Sequence, residues 1–282
     1  MARKFINHNG EILEDNNPIF SISNRGFKYG DGLFESMRMG NGKLYFADLH
    51  AERLQKGMRT LKLEGYSQID AYFLKDKAEE LCKRNKIVQN ARLRLTVYRD
   101  AGGLYAPDRH QHAYALEVQP LDSPLYKING KGLIMDIYDE VPKSINKLSN
   151  LKTCSALPYV MAGIYKQQMQ LDEAFILNQN GFLCEAISAN LFLVYNGQIF
   201  TPALSEGCIN GVMRNVVMQL AVKNNIQIVE AEINPEILNE AEEVFLSNTS
   251  RGVQWAMGFN KKRYFNEIAR FFVDKLNEEL KP

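Results

Sequence analysis

The sequence predicts an α/β chain of two domains. Segments with an apolar residue at every second position alternate with segments where the interval is three or four. These are the spacings of a half-buried strand and of an amphipathic helix. The 282 residues suit two domains of ordinary size, each with its own core. The stretch LDSPLYKINGKG, carrying Pro124, Gly130 and Gly132, interrupts the pattern. A boundary there gives an N-terminal α/β domain over 1–122, a linker over 123–131 and a C-terminal domain over 132–282.

Taken in order, FINHNGEIL reads as two short strands about Asn9-Gly10, a dipeptide that tolerates the positive φ of a tight hairpin. ADLHAERLQKGMRTLKL sets Leu49, Leu54, Met58 and Leu61 at helical spacing, and DAYFLKDKAEELCKRN is a second amphipathic helix. ARLRLTVYR alternates as a strand does, and HAYALEVQPL follows as another. Beyond the linker, GLIMDIYD, EAFILN, GFLCEA, NLFLVY and QIFTP are strand candidates. Helix candidates span 212–223, 235–239 and 264–280, and the apolar run 156–164 is compatible with a buried helix.

Composition excludes several classes. With a net charge of +1 and no basic tract, nothing favours nucleic acid or an anionic membrane surface. No apolar run approaches the length of a membrane span, and MARKFINHNGEI contains no signal-peptide core. Cys82, Cys154, Cys184 and Cys208 are scattered, without CxxC or metal-ligand spacing, which predicts reduced thiols in the cytoplasm and no metal.

Three stretches carry candidate chemistry. In SNLKTCSALPY, Lys152 precedes an apolar run and is either a surface residue or an amine kept in a pocket. In EGCINGVMRNVV, Gly211 opens a helix, so the amides of Val212 and Met213 point outward without intrahelical partners, as at a phosphate seat. In GFLCEAISANLF, Glu185 sits among apolar residues and needs a partner, either a cation of the fold or a protonated ring nitrogen of a ligand. A fourth stretch, RGFKYGDGLFES, reads by itself as a tight Gly-Asp-Gly turn before a strand or helix. Pyridoxal phosphate requires a lysine for an imine, an acid for its ring nitrogen and donors for its phosphate. Lys152, Glu185, the Gly211–Met213 helix start and Arg53 would supply that set.

Ordered motifs over nearly the whole chain resemble the fold-type-IV, class-IV pyridoxal-phosphate family of branched-chain aminotransferases, D-amino-acid aminotransferases and aminodeoxychorismate lyases. They are RGFKYGDGLFE, HAERL at 50–54, NLKT, DEAFILNQNG, LSNTS and the run from Glu185 to Arg214, which holds Asn190-Leu191-Phe192, Gly211 and Val212. The resemblance implies a smaller N-terminal α/β domain and a larger C-terminal one, usually in a homodimer. It implies that Lys152 forms the imine with the cofactor and shuttles the substrate proton, and that Glu185 pairs with the pyridine nitrogen. Arg53 and the amides of Val212 and Met213 would hold the phosphate, with a hydroxyl from Thr249.

The substrate is expected to be a small or aliphatic amino acid with a 2-oxo acid acceptor. The Arg-x-His carboxylate trap of the D-amino-acid enzymes corresponds here to Leu104-Tyr105-Ala106, and the loop arginine of the lyases corresponds to Leu104. An apolar Leu104 suits an aliphatic side chain. YRDAGG, ANLF and NGVMR are nearer to the lyases, so elimination of pyruvate from aminodeoxychorismate is the alternative. Arg92 and Arg94 share one strand face with Thr96, so one of them could bind a carboxylate. Phe34 and Ser250 complete the candidate substrate contacts.

Overall fold

Leu93, Leu95 and Val97 alternate with Arg92, Arg94 and Thr96, and this alternation decides which face of the first sheet is covered. The computed structural model describes residues 3–281. The chain divides into two units: the first runs to Pro124 and takes in Leu151–Ala156, and the second takes Leu125–Asn150 and the chain from Leu157 onward. The boundary expected at 123–131 left 151–156 with the later residues. The structure assigns that segment to the first unit because it pairs with a strand edge there.

The first unit contains β1 (Phe5–His8), β2 (Glu11–Glu14), α1 (Arg25–Tyr29), β3 (Gly32–Gly40), β4 (Lys43–Leu44), α2 (Ala47–Thr60), α3 (Ala71–Arg84), β5 (Ala91–Arg99) and β6 (His112–Pro120). Its sheet, in the order β2-β1-β6-β5-β3-β4, is antiparallel throughout. Asn9 and Gly10 take the positive φ that the β1–β2 hairpin demands. One face of the sheet buries Leu33, Met37, Leu93, Leu95, Val97 and Leu116 against Leu54 and Met58 of α2 and Leu74 and Leu81 of α3. The opposite face carries Phe34, Ser36, Arg92, Arg94 and Thr96. The segment 151–156 lies on the free edge of β3, where Phe34 N–H donates to the Lys152 carbonyl and Cys154 N–H to that of Gly32, both at 2.9 Å.

The second unit contains β7 (Leu133–Lys143), α4 (Leu157–Gln168), β8 (Glu173–Asn178), β9 (Leu183–Ala186), β10 (Asn190–Tyr195), β11 (Gln198–Pro202), α5 (Val212–Lys223), β12 (Ile228–Ala231), β13 (Glu243–Asn248), β14 (Gly252–Phe259), β15 (Lys262–Arg263) and α6 (Glu267–Glu279). Its mixed sheet runs β12-β11-β10-β13-β14-β7-β8-β9, with β15 paired to β14. Phe192 and Phe245 stack at 5.1 Å and Phe272 of α6 packs on Phe245 at 5.8 Å, which joins the helix layer to the sheet. Glu243 accepts from the amides of Ile268 and Ala269 and so caps α6 from outside the helix.

Four expectations change. Residues 235–239 form a short 3-10 turn, started by Pro235 and capped by Asn234, rather than an α-helix. The last helix begins at Glu267, because Tyr264 N–H pairs back to Met257 and Phe265 bridges to Glu243. The strands β12, β13 and β14 lie outside the strand candidates. EVFLSN in β13 is buried almost continuously and so lacks the alternation that reveals a strand. The apolar helix α4 buries only Ala162, and Leu157, Val160, Met161 and Ile164 form an exposed row.

Phe245→Ala should cost about 3–5 kcal/mol, since it removes a fully buried ring between two others. Urea unfolding followed by circular dichroism should show the midpoint fall with the slope unchanged.

Candidate active site

The Gly-Asp-Gly turn is a structural joint of the first unit. Asn24 Oδ1 accepts from Phe27 N–H to start α1, and Gly30 ends the helix at φ 64°. A Cβ at Gly30 would press on the backbone of Ser155, so glycine also admits the segment that carries Lys152. Asp31 accepts from Arg25 Nε and Arg99 Nε, each at 2.8 Å. Burial alone would raise the Asp31 carboxyl, but the guanidinium groups of Arg99 and Arg25 outweigh it and hold it below the usual carboxylate range. Arg25 in turn donates to the carbonyls of Gly102, Gly103, Leu104 and Tyr105, which fixes the loop between β5 and β6.

Edge pairing sets Lys152 beside β3. Its ammonium lies 4.5 Å from the centre of the Phe34 ring, and the Arg94 guanidinium lies 3.9 Å from that centre. The structure therefore brings Lys152, Phe34 and Arg94 together. Arg92 is exposed further along the same strand face. Leu104 is 76% exposed, and its carbonyl rather than its side chain is what the fold holds.

On the other face of β3, Glu35 is fully buried and accepts from His50 Nδ1 at 2.6 Å and from Arg53 Nε at 2.7 Å, with Arg53 Nη2 on its second oxygen. Burial would raise Glu35, but Arg53 and His50 reverse the effect and hold it at about 2. Burial pushes the His50 imidazole down. Arg53 and Lys152 act in the same direction, and Glu35 opposes them. His50 Nε2 is buried without a hydrogen-bond partner among the described residues. Glu35 and His50 escaped the sequence reading. Their signals were a carboxylate on the apolar face of GLFESMRM and a histidine three residues before Arg53 on one helix face.

In the second unit Glu185, at the end of β9, is 2% exposed. Its Oε1 accepts from Lys143 Nζ and, at 2.6 Å, from the Tyr159 hydroxyl, and its Oε2 accepts from Ile209 N–H at 2.8 Å. The cation anticipated for Glu185 is thus present in the fold, and four lone-pair sites less three donors leave one acceptor site on Oε2. Three residues after Ile209, α5 begins at Val212 with no side-chain cap, and both Val212 and Met213 are buried. A buried helix start without a cap is unusual unless a ligand completes it. A Cβ on Gly211 would overlap Asn190 Oδ1, whose amide nitrogen donates to the Ile209 carbonyl at 2.7 Å. Thr249 is buried at the turn after β13, where its carbonyl accepts from the Tyr126 hydroxyl at 2.8 Å. Ser250 follows in the same turn, its amide on Asn248 Oδ1 at 3.1 Å. Among the described residues no cluster of His, Cys, Asp or Glu could hold a metal ion.

Comparison with known proteins agrees with these features. The family model for amino-transferase class IV matches residues 32–255. A putative branched-chain-amino-acid aminotransferase of Methanocaldococcus jannaschii is 26% identical over 285 residues, covering 97% of this chain and 94% of the relative. A D-alanine aminotransferase of Staphylococcus haemolyticus is 28% identical, covering 90% and 87%. An aminodeoxychorismate lyase of Bacillus subtilis is 26% identical, covering 86% and 82%. A branched-chain aminotransferase of Thermoproteus uzoniensis, solved with norvaline, shares the fold with a TM-score of 0.87 at 20% identity, over 99% of this chain and 95% of that one.

Glu35→Gln should destabilise the protein by about 3 kcal/mol at neutral pH, because Arg53 and His50 then lose their buried partner. Since the folded carboxyl lies at about 2, below its ordinary 4.5, its contribution is complete above 4.5 and disappears as pH falls toward 2. Chemical denaturation of both proteins across that interval should show the difference shrink with acid.

Proposed function

This chain belongs to the amino-transferase class IV family, and from that premise we propose that it is a pyridoxal-phosphate-dependent aminotransferase acting on a small or aliphatic amino acid and a 2-oxo acid. The observation that carries the reading is the stretch from Ile209 to Met213. Its first amide binds the buried Glu185 carboxylate, and its last two open a buried, uncapped helix. The donor and acceptor chemistry fits the cofactor: one acceptor site for a ring N–H, unpaired helix amides for a phosphate and a lysine amine for a carbonyl carbon.

When bound, pyridoxal phosphate supplies a protonated ring that withdraws electrons from the substrate α-carbon. In this reading Lys152 would hold the cofactor through its amine, and the same amine would take up and return the α-carbon proton. Glu185 accepts the ring N–H and keeps that proton in place. The amides of Val212 and Met213, the Thr249 hydroxyl and the Arg53 guanidinium hold the phosphate, with Glu35 orienting Arg53. Phe34 and Arg94 pack around the Lys152 amine, and Arg94 is the preferred anchor for the substrate carboxylate over the exposed Arg92. Leu104 and Ser250 complete the substrate contacts in this proposal.

One observation favours a second reading. Arg92 and Arg94 stand on one strand face and together could meet two carboxylates, as a lyase acting on aminodeoxychorismate requires. The two readings part on acceptor dependence: the aminotransferase turns over only with a 2-oxo acid, whereas the lyase releases pyruvate without one.

We also propose a cytoplasmic homodimer. All four cysteines are free, which suits a reducing compartment, and no helix among the described residues is long and apolar enough to cross a membrane. The exposed row Leu157, Val160, Met161 and Ile164 on α4 is a surface that a second copy would cover. Ile164→Glu should convert the dimer to a monomer in sedimentation velocity. A monomeric wild type would remove the proposal.

The purified protein should transfer an amino group from an aliphatic amino acid to 2-oxoglutarate. Lys152→Ala should reduce turnover by at least ~10²-fold, and borohydride should fix cofactor to a peptide containing Lys152 in the wild type alone. Pyruvate release without a 2-oxo acid, with no transfer from any aliphatic amino acid, would favour the lyase.

A further inference from the structure

Lys143, the last residue of β7, is a buried lysine to which the reaction proposed above gives no task. Its side chain is 11% exposed, and its ammonium bonds Glu185 Oε1. The Tyr159 hydroxyl donates to the same oxygen at 2.6 Å, which fills both lone-pair sites of Oε1. Ile209 N–H takes one of the two sites on Oε2. If the carboxyl were neutral, its own O–H would occupy the site that Oε2 has left, and no further donor could be met. The open site on Oε2 therefore belongs to the carboxylate form.

We propose that Lys143 and Tyr159 are positioning residues that fill Glu185 Oε1 and thereby reserve the single open acceptor site, on Oε2, for the pyridine N–H of the bound cofactor. The proposal rests on the reading of Glu185 given above and extends it to the two side chains that orient the carboxylate. Loss of the Lys143 ammonium would leave Oε1 half-satisfied in a buried place, free to turn toward the ring. Loss of the Tyr159 hydroxyl removes one donor and keeps the ion pair, so its effect is smaller and in the same direction.

The other titratable groups around Glu185 do not compete for this role. Cys184 neighbours it on β9, and Cys208 approaches from the turn before α5. Burial first, then the Glu185 charge, pushes the Cys184 thiol and the Tyr159 phenol up and Cys208 up to about 12. Glu206 acts on Cys184, while Arg214 and Glu230 act on Cys208 and pair with each other. Lys143 is the cation in direct contact.

The test is the ¹⁵N chemical shift of ring-labelled pyridoxal phosphate in the reconstituted holoenzyme, followed from about pH 6 to about pH 10, a range that spans ordinary thiol titration. Cofactor content is measured separately by dialysis. The wild type should hold the ring proton across the range. Lys143→Met should lose it at a pH at least one unit lower, Tyr159→Phe should shift it less, and Lys143→Arg should restore the wild-type profile. Glu185→Gln should abolish the protonated signal. If Glu185→Gln keeps the wild-type signal, or the wild type holds no ring proton, the reading of Glu185 fails and the inference with it. If Glu185→Gln loses the signal but Lys143→Met and Tyr159→Phe match the wild type, the inference alone is overturned. Should Lys143→Met not fold, an unshifted Tyr159→Phe overturns it.

Discussion

Two backbone hydrogen bonds, from Phe34 to the Lys152 carbonyl and from Cys154 to the Gly32 carbonyl, decide where the amine of Lys152 stands. They seat a six-residue segment on the free edge of β3 and satisfy backbone groups that the edge would otherwise expose. Once the segment is seated, alternation along β3 does the rest. Phe34 turns toward the Lys152 amine, and Glu35 turns to the other face, where it collects His50 and Arg53. Gly30 is small because the same segment runs past it. Gly30 is therefore a requirement of the lysine segment as much as of the turn.

Buried charge is handled the same way in three places. Asp31 lies between Arg25 and Arg99, Glu35 between Arg53 and His50, and Glu185 between Lys143 and Tyr159. A buried ion pair seldom adds net stability over apolar packing of the same shape, because desolvation offsets most of the attraction. What these pairs supply is direction. Each carboxylate has its oxygens assigned to particular donors, so each cation around it has one orientation. Arg25, Arg53 and Lys143 are thereby fixed without the use of loops.

The reading proposed above assigns substrate discrimination to the loop between β5 and β6. That reading takes the exposed side chain of Leu104 as a contact, and four successive carbonyls of the same loop are gathered by Arg25. The loop is shaped by a buried arginine contacting backbone, a constraint that no side-chain comparison at position 104 registers. Two cations of the first unit that share a neighbour with the Lys152 amine, Arg94 at Phe34 and Arg53 at His50, come from strand and helix positions.

The sequence by itself determined the elements whose patterns are local. The strands from Ala91 to Arg99 and from Gln198 to Pro202 and the helix from Val212 to Lys223 were legible to the residue, because periodicity and the glycine before a helix act over a few positions. Lys152, Glu185 and the helix start at Gly211 were legible as candidates, since an isolated amine, a carboxylate in an apolar strand and an uncapped helix each require explanation. Tertiary structure alone decided what each one meets. It returned 151–156 to the first unit, gave Glu185 a lysine and a tyrosine from distant elements, and left one face of α4 exposed. Those outcomes depend on pairings between segments far apart in the chain. The energy of a buried carboxylate is set by whichever donors the fold delivers to it, and local pattern carries no record of them.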